Sequence, residues 1–240
     1  MGESSLGVHV ESRVALLADL HGNLTAFEAV LAEVDAMGIK RIVIAGDIAW
    51  GVQPAETVAA VMALGERAVA IRGNADREVS VPETVEGDAF LRESTEWCAA
   101  QLDDAQRSWL RTLPETATVT VDEVSDVLIC HGSPSSDTEG LRPDAATDEI
   151  RTWLGGARGR VIVCGHTHVQ FDRTVDGQRI VNPGSVGLHY GVEGAQWALL
   201  GSGVELRTTP YDGERAALLA LASGIPAAED FARFFRDPLA

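Results

Sequence analysis

The sequence predicts an α/β fold in which neighbouring strands are largely parallel. Short apolar, β-rich runs alternate with amphipathic runs at helical spacing through the first third of the chain. Carboxylate, amide and imidazole side chains recur just past the ends of those apolar runs, where open α/β sheets form their ligand sites. No segment reaches the ~18 uninterrupted apolar residues of a membrane span. The 240 residues suffice for a full hydrophobic core. No internal repeat or long linker divides them, so a single domain over residues 1–240 is expected.

Residues 1–11 lack the basic start and apolar core of a secretory signal and read as a flexible tail. A strand follows over 13–18, then a helix over 23–37 with Phe27, Val30, Leu31 and Val34 on one face and Gly38 as its stop. A strand over 41–45, a helix over 54–64 and a strand over 68–71 repeat the unit. The middle is less regular, with helices expected over 85–102 and 105–111 and strands over 116–121 and 127–130. The stretch "HGSPSSDTEGLRPDAA" is a loop rich in Ser, Pro and Asp, and a short helix follows over 148–154. Strands are then expected over 161–164, 169–175, 178–181, 197–200 and 204–209, with Asp176-Gly177 as a tight hairpin turn. Two helices, 215–223 and 229–235, close the chain.

The strand ends carry the chemistry. "VALLADLHGN" places Asp19 and His21 after an apolar run, and "IVIAGDIAW" places Asp47. "AVAIRGNADR" supplies Asn74, "DVLICHGSP" supplies His131, and "VIVCGHTHV" supplies His166 and His168. Any one of these polar residues alone would read as a cap or a solvated group. If the strands are neighbours, however, all seven side chains converge. Imidazole, carboxylate and amide oxygen are ligands for divalent first-row metals. Residues two apart in a strand share a side, so Asp19 with His21 and His166 with His168 present as pairs. Glycines before Asp47, Asn74 and His166 permit sharp turns there.

The formal net charge of −17 disfavours bulk contact with nucleic-acid backbones and anionic membranes. Three cysteines, Cys98, Cys130 and Cys164, form no Cys-x-x-Cys arrangement and read as buried thiols of a reducing cytoplasm.

The ordered series Asp-x-His, Gly-Asp, Gly-Asn-x-Asp, His and Gly-His-x-His over residues 19–168 resembles the calcineurin-like metallophosphoesterase superfamily. "NPGSVG" at 182–187 resembles its small bacterial branch, which includes the YfcE-type phosphodiesterases. The resemblance implies a four-layer αββα sandwich with two mixed sheets, the second built from the late strands. It implies two divalent ions, manganese first, with iron, nickel, cobalt, zinc or magnesium also compatible. One ion takes Asp19, His21, Asp47 and His168, and the other takes Asp47, Asn74, His131 and His166. The implied activity is phosphodiester hydrolysis of a small phosphoester by a metal-bridging hydroxide. A phosphoprotein or nucleotide phosphatase, or a metal- and phosphate-holding interaction module without turnover, are the alternatives.

Three further residues are candidate catalytic groups. Asp76 orients neighbouring groups in the family, or is a turn or cap carboxylate. Asn23 contacts phosphate, or caps the following helix. Arg77 clamps an anion, or pairs with Glu78. His189 lines the pocket, or is a solvated loop residue. Segment 80–98 is expected to pack a helix on the core, with a lid over the site as the alternative. Ala75 stands where many relatives carry a histidine that assists the leaving group, which favours diesters and activated esters over alkyl monoesters.

Overall fold

The computed structural model describes residues 7–10, 13–122 and 124–238. Strands β1 (Gly7–Val10) and β2 (Val14–Leu17) lead into helix α1 (Leu24–Ala36), then β3 (Arg41–Ile44), α2 (Pro54–Ala63) and β4 (Ala68–Ala70). Three helices follow, α3 (Asn74–Ser80), α4 (Ala89–Gln101) and α5 (Asp104–Thr112), before β5 (Ala117–Val121), β6 (Ser125–Ile129) and α6 (Thr147–Leu154). The last part holds β7 (Val161–Val163), β8 (Phe171–Val175), β9 (Gln178–Asn182), β10 (Ala195–Leu200), β11 (Val204–Thr209), α7 (Gly213–Ser223) and α8 (Ala228–Arg236).

The strands form two mixed sheets, one in the order β1-β5-β6-β7-β9-β8 and one in the order β11-β10-β2-β3-β4. Within the second, β2, β3 and β4 are parallel, while β10 runs antiparallel to both β2 and β11. Alternation along single strands shows how the layers stack. Ala15 and Leu17 of β2 join Phe27, Val30, Val58, Ala217 and Phe231 in the core under the helices. Val14 and Leu16, on the opposite face, meet Val119, Val127, Val161 and Val181 of the other sheet. Ile162 and Ile180 face the far side, where Ile150, Trp153 and Leu154 of α6 cover them. The architecture is therefore the four-layer αββα sandwich. Strands buried on both faces read as continuous apolar runs, which is why period-two patterning is weak in the sequence.

Several expectations need correction. Residues 7–10 of the expected flexible tail form β1, paired in parallel with β5 from Gly7↔Thr118 to Val10↔Val121. Unpaired backbone groups on the outer edge of β5 supply the reason, since an adjoining segment can satisfy them. Residues 1–6 and 11 of that tail lie outside the described residues. The expectation of largely parallel neighbours also falls short, because β5–β6, β8–β9, β10–β2 and β10–β11 are antiparallel. Asp176 and Gly177 both take positive φ, 50° and 83°, the geometry of a two-residue hairpin turn joining β8 to β9.

Phe27 is fully buried between α1 and the five-stranded sheet. Its replacement by Ala is expected to lower unfolding free energy by ~3–5 kcal/mol through lost burial and the cavity left behind. Urea denaturation followed by tryptophan fluorescence checks this, and a loss below ~1 kcal/mol would contradict the packing described.

Candidate metal centre

All seven strand-end residues meet where the carboxyl ends of β2, β3, β4, β6 and β7 come together. The loops leaving β2 and β3 run side by side, with Asp19 N–H donating to Gly46 O (3.0 Å), His21 N–H to Asp47 O (2.9 Å) and Gly22 N–H to Ile48 O (3.0 Å). From the other sheet, Gly165 N–H donates to His131 O at 2.8 Å. The loop after β9 straps the cluster, since Gly187 N–H and the Ser185 hydroxyl both donate to Asp19 O (2.9 and 2.8 Å). Asn182 holds that strap by donating to Gly165 O at 2.8 Å.

The backbone is strained at this point. Asp19, His21, Asp47, His166 and His168 all have positive φ, between 44° and 67°. Non-glycine residues adopt this region at a cost of order 1–3 kcal/mol each and persist there only when surrounding structure holds them. Gly73 shows how tight the approach is, because a Cβ there would lie 2.0 Å from Asp47 Oδ1.

Two groups of ligand atoms result, Asp19 with His21 and His168, and Asp47 with His131 and His166, each within 4.8 Å internally. Asp47 Oδ2 faces both groups, 3.6 Å from His21 Nε2 and 3.2 Å from His131 Nε2. Asn74 turns its amide onto His131 Nε2 (3.2 Å) and His166 Nδ1 (3.0 Å).

Hydrogen bonding orients these side chains so that they can serve as a donor set for a cation. His21 Nδ1 lies 3.1 Å from Trp50 O, and His168 Nδ1 lies 2.8 Å from Leu188 O. Each Nδ1 must therefore carry its proton, which leaves a lone pair on Nε2 in the neutral ring. Those two Nε2 atoms face one another at 3.0 Å. His131 is fixed likewise by Ala45 O at 2.7 Å, so Nε2 is the ring nitrogen aimed at Asp47. Such an orientation of imidazoles by backbone carbonyls is usual for metal-ligating histidines. The site fits hard and borderline divalent ions, having nitrogen and oxygen donors and no thiolate.

Titration reflects the crowding. Burial, aided by His168, pushes His21 down to about 4 despite Asp47 and Asp19. Burial works against charge on His131 too, but the adjacent Asp47 outweighs it and raises His131 to about 10. Asp47 is correspondingly held well below the usual carboxylate range, burial notwithstanding, by His131 and His21. His168 is raised because Asp19 at 3.5 Å overcomes burial, while His166 is lowered by burial and by His131. A proton on His131 thus offsets the Asp47 charge, and a cation that binds there competes with it.

The three candidate catalytic residues separate. Asp76 is wholly buried and accepts from Ile48 N–H (2.8 Å), Ala49 N–H (2.9 Å) and Gly73 N–H (3.0 Å). It ties the loop after β3 to the start of α3. Burial and the Asp47 charge raise it to about 7 against those donors. Asn23 caps α1, accepting from Ala26 N–H at 3.1 Å and donating to Gly187 O at 3.2 Å, so its amide is committed to structure. Arg77 makes its main pair with Asp137 (2.7 Å), with Glu78 further away at 3.6 Å. Its side chain remains 37% exposed at the rim. His189 is buried, not solvated, bonded to Val192 O (2.7 Å) and the Tyr211 hydroxyl (2.9 Å).

Four residues of the site left no signal in sequence spacing. Asp137 and Gly140 lie in the loop-like stretch, and Gly140 approaches His166 so closely that a Cβ would come within 2.9 Å. Trp50 anchors the loop after β3 by donating from Nε1 to Thr95 of α4 (3.2 Å). Segment 80–98 thus contributes most of α4, which packs on that loop through Thr95 and Cys98. Tyr190 stacks on His168 and adjoins the "NPGSVG" stretch, the one available cue. Cys98, Cys130 and Cys164 are free and buried.

Comparison with known proteins identifies the family and the fold. The sequence profile of the calcineurin-like phosphoesterase superfamily domain matches residues 13–201. Uncharacterized protein MJ0912 of Methanocaldococcus jannaschii is 26% identical over 181 residues, 74% of this chain and 71% of that protein. Hypothetical protein PH1004 from Pyrococcus horikoshii OT3 has the same fold, with a TM-score of 0.83 at 21% identity over 94% of this chain and 98% of that one. A metallophosphoesterase from Sphaerobacter thermophilus gives 0.78 at 23% identity over 95% and 100%.

Two outcomes are expected. Stability contributed by a raised histidine is complete below its unfolded value of ~6.5 and fades as pH rises towards the folded one. His131, at about 10, therefore stabilises the metal-free chain less and less from neutral to alkaline pH, while manganese gains ligands over the same range. The gap in Tm between manganese and chelator, read by calorimetry, should widen from pH 6 to pH 9; a narrowing gap would refute proton competition. Asp76→Ala leaves three buried N–H donors unpaired and should cost about 2–4 kcal/mol in urea unfolding while weakening manganese binding in titration.

Proposed function

Since the chain belongs to the calcineurin-like phosphoesterase superfamily, we propose that it is a binuclear-metal-dependent phosphoester hydrolase acting mainly on phosphodiesters. One observation carries the reading: two groups of buried ligand atoms adjoin, and Asp47 faces both. Asp19, His21, Asp47 and His168 would hold one ion, and Asp47, Asn74, His131 and His166 the other, with manganese the first choice. Such ions polarise phosphoryl oxygens and bring the pKa of bound water towards neutrality.

The chain's own groups divide the remaining work. Asp47 accepts the Ala75 N–H at 2.9 Å, which fixes its carboxylate between the two groups. Asp76 and Asn23 act as positioning residues, the first on the loop that carries Asp47 and the second on the start of α1. Arg77 offers a partly exposed cation beside the ligands for an anionic substrate oxygen. Ala75 cannot protonate a departing alkoxide, so substrates with stable leaving groups are favoured. The three buried free thiols support a reducing, cytoplasmic setting, and no helix among the described residues is long and apolar enough to cross a membrane. A small soluble phosphoester is the fitting partner, as a polyanion would meet the net charge of −17.

Ala75 also supports a second reading, an interaction module that holds metal and phosphate without turnover. The test is hydrolysis of bis-p-nitrophenyl phosphate and glycerol phosphate by chelator-stripped, manganese-reloaded protein. The diester should show the higher kcat/KM. Asp47→Ala should abolish turnover, whereas Glu149→Gln on exposed α6 should keep it. Ala75→His should raise glycerol phosphate turnover by up to ~10²-fold. Faster hydrolysis of glycerol phosphate by the natural sequence would refute the leaving-group argument. Stoichiometric metal with no turnover across a broad panel would favour the module.

A further inference from the structure

The two sides of the candidate centre differ in chemistry. Beside Asn74 and His131 stand charged groups, the Arg77–Asp137 pair and the half-buried Glu78. Beside His21 and His168 stand aromatic rings. Tyr190 lies on His168 with a centroid separation of 5.6 Å and an interplanar angle of 12°. Phe234 of α8 meets Tyr190 edge-on at 5.3 Å and 65°. On the other side, Trp50 meets His21 edge-on at 5.8 Å, and Phe90 of α4 meets Trp50 at 6.3 Å. A continuous run of ring contacts therefore passes from Phe90 through Trp50, His21 and His168 to Tyr190.

The ends of that run are open. Tyr190 is 61% exposed and Phe90 42%, whereas the histidines between them are nearly covered. A large ring held parallel on one face and braced at its edge has lost most of its freedom already. An exposed aromatic fixed in advance in this way makes a stacking platform, because a planar partner binds it at little further entropic cost. The alternative direction, towards Arg77, Asp137 and Glu78, offers no aromatic face, and the Arg77 guanidinium is already held by Asp137 at 2.7 Å.

We infer that Tyr190 is the specificity-determining platform for a planar ring, aryl or nucleobase, on an ester group of the substrate, and that this group leaves the centre over His168 rather than over Arg77. The inference rests on the phosphoesterase reading but names what that reading leaves open, the chemical class of the esterified group.

Equilibrium binding to the manganese-loaded chain tests it without turnover. Calorimetry would compare methylphosphonate, phenylphosphonate and the carbon–phosphorus analogue of AMP on the natural sequence, Tyr190→Ala, Tyr190→Leu and Tyr190→Phe. The natural sequence should prefer phenyl over methyl by about fivefold or more, as stacking on a protein aromatic typically gives. Tyr190→Ala and Tyr190→Leu should erase most of that preference, and Tyr190→Phe should keep it. The AMP analogue decides the source: tighter binding than phenylphosphonate marks a nucleobase, and equal or weaker binding a simple aryl group. A preference that survives in Tyr190→Ala overturns the inference, as does its absence from the natural sequence. Loss of manganese affinity in Tyr190→Ala with the preference intact would mark a mere shelter for His168 and also overturns it. Failure to hydrolyse any ester while the ring preference persists would overturn the enzymatic reading alone.

Discussion

Imidazole nitrogens and carboxylates crowded face to face across the end of the sandwich govern this structure. His21 and His168 direct Nε2 at each other, His131 directs its own at Asp47, and each ring is locked in that sense by a backbone carbonyl. Buried carboxylates in so small a volume are costly unless positive charge, a proton or a cation, stands beside them. Much of the local architecture follows from keeping it there. Five ligand residues are held at positive φ, and glycines stand where any side chain would strike a ligand. Strain of order 1–3 kcal/mol per residue is tolerable because the strands beneath are buried on both faces and cannot yield.

Both sheets are needed for this. The five-stranded sheet delivers Asp19, His21 and Asp47, and the six-stranded sheet delivers His131, His166 and His168. Contacts between the two are polar as well as apolar. His166 N–H donates to the Asp19 carboxylate (3.1 Å), and His131 donates across to Ala45 O. The strap after β9 then ties Asp19 from behind. Displacement of either sheet would misplace ligands in both groups, so the apolar seam between sheets and the ligand geometry are one mechanical unit.

Much of the candidate site was legible in the sequence because each ligand ends an apolar run, often beside a glycine, and such a coincidence repeated five times is hard to produce by core packing alone. The four layers were less legible. Val14 to Leu17 is apolar at every position, so neither face declares which layer it meets, and only the family resemblance supplied the second sheet. Helix α3 was missed because seven residues starting at Asn74 are too few to display a helical period. Strand β1 was missed because its place depends on the free edge of β5, more than a hundred residues away. Asn23 and Asp76 were ambiguous for a physical reason: capping a helix and touching a ligand call for the same side chains, and only the positions of the backbone N–H groups decide. Tyr190 and Asp137 come from irregular loops, where no periodicity exists to read.

Strand β2 lies at the middle of its sheet, yet β10, its neighbour on one side, comes from near the other end of the sequence. During synthesis on the ribosome, β2, β3 and β4 therefore emerge as a nascent ribbon whose inner edge stays unpaired until β10, about 180 residues further on, has been made. An apolar edge kept waiting that long is a template for other chains. Cotranslational protection, or slow production, should decide how much of this protein reaches its native state.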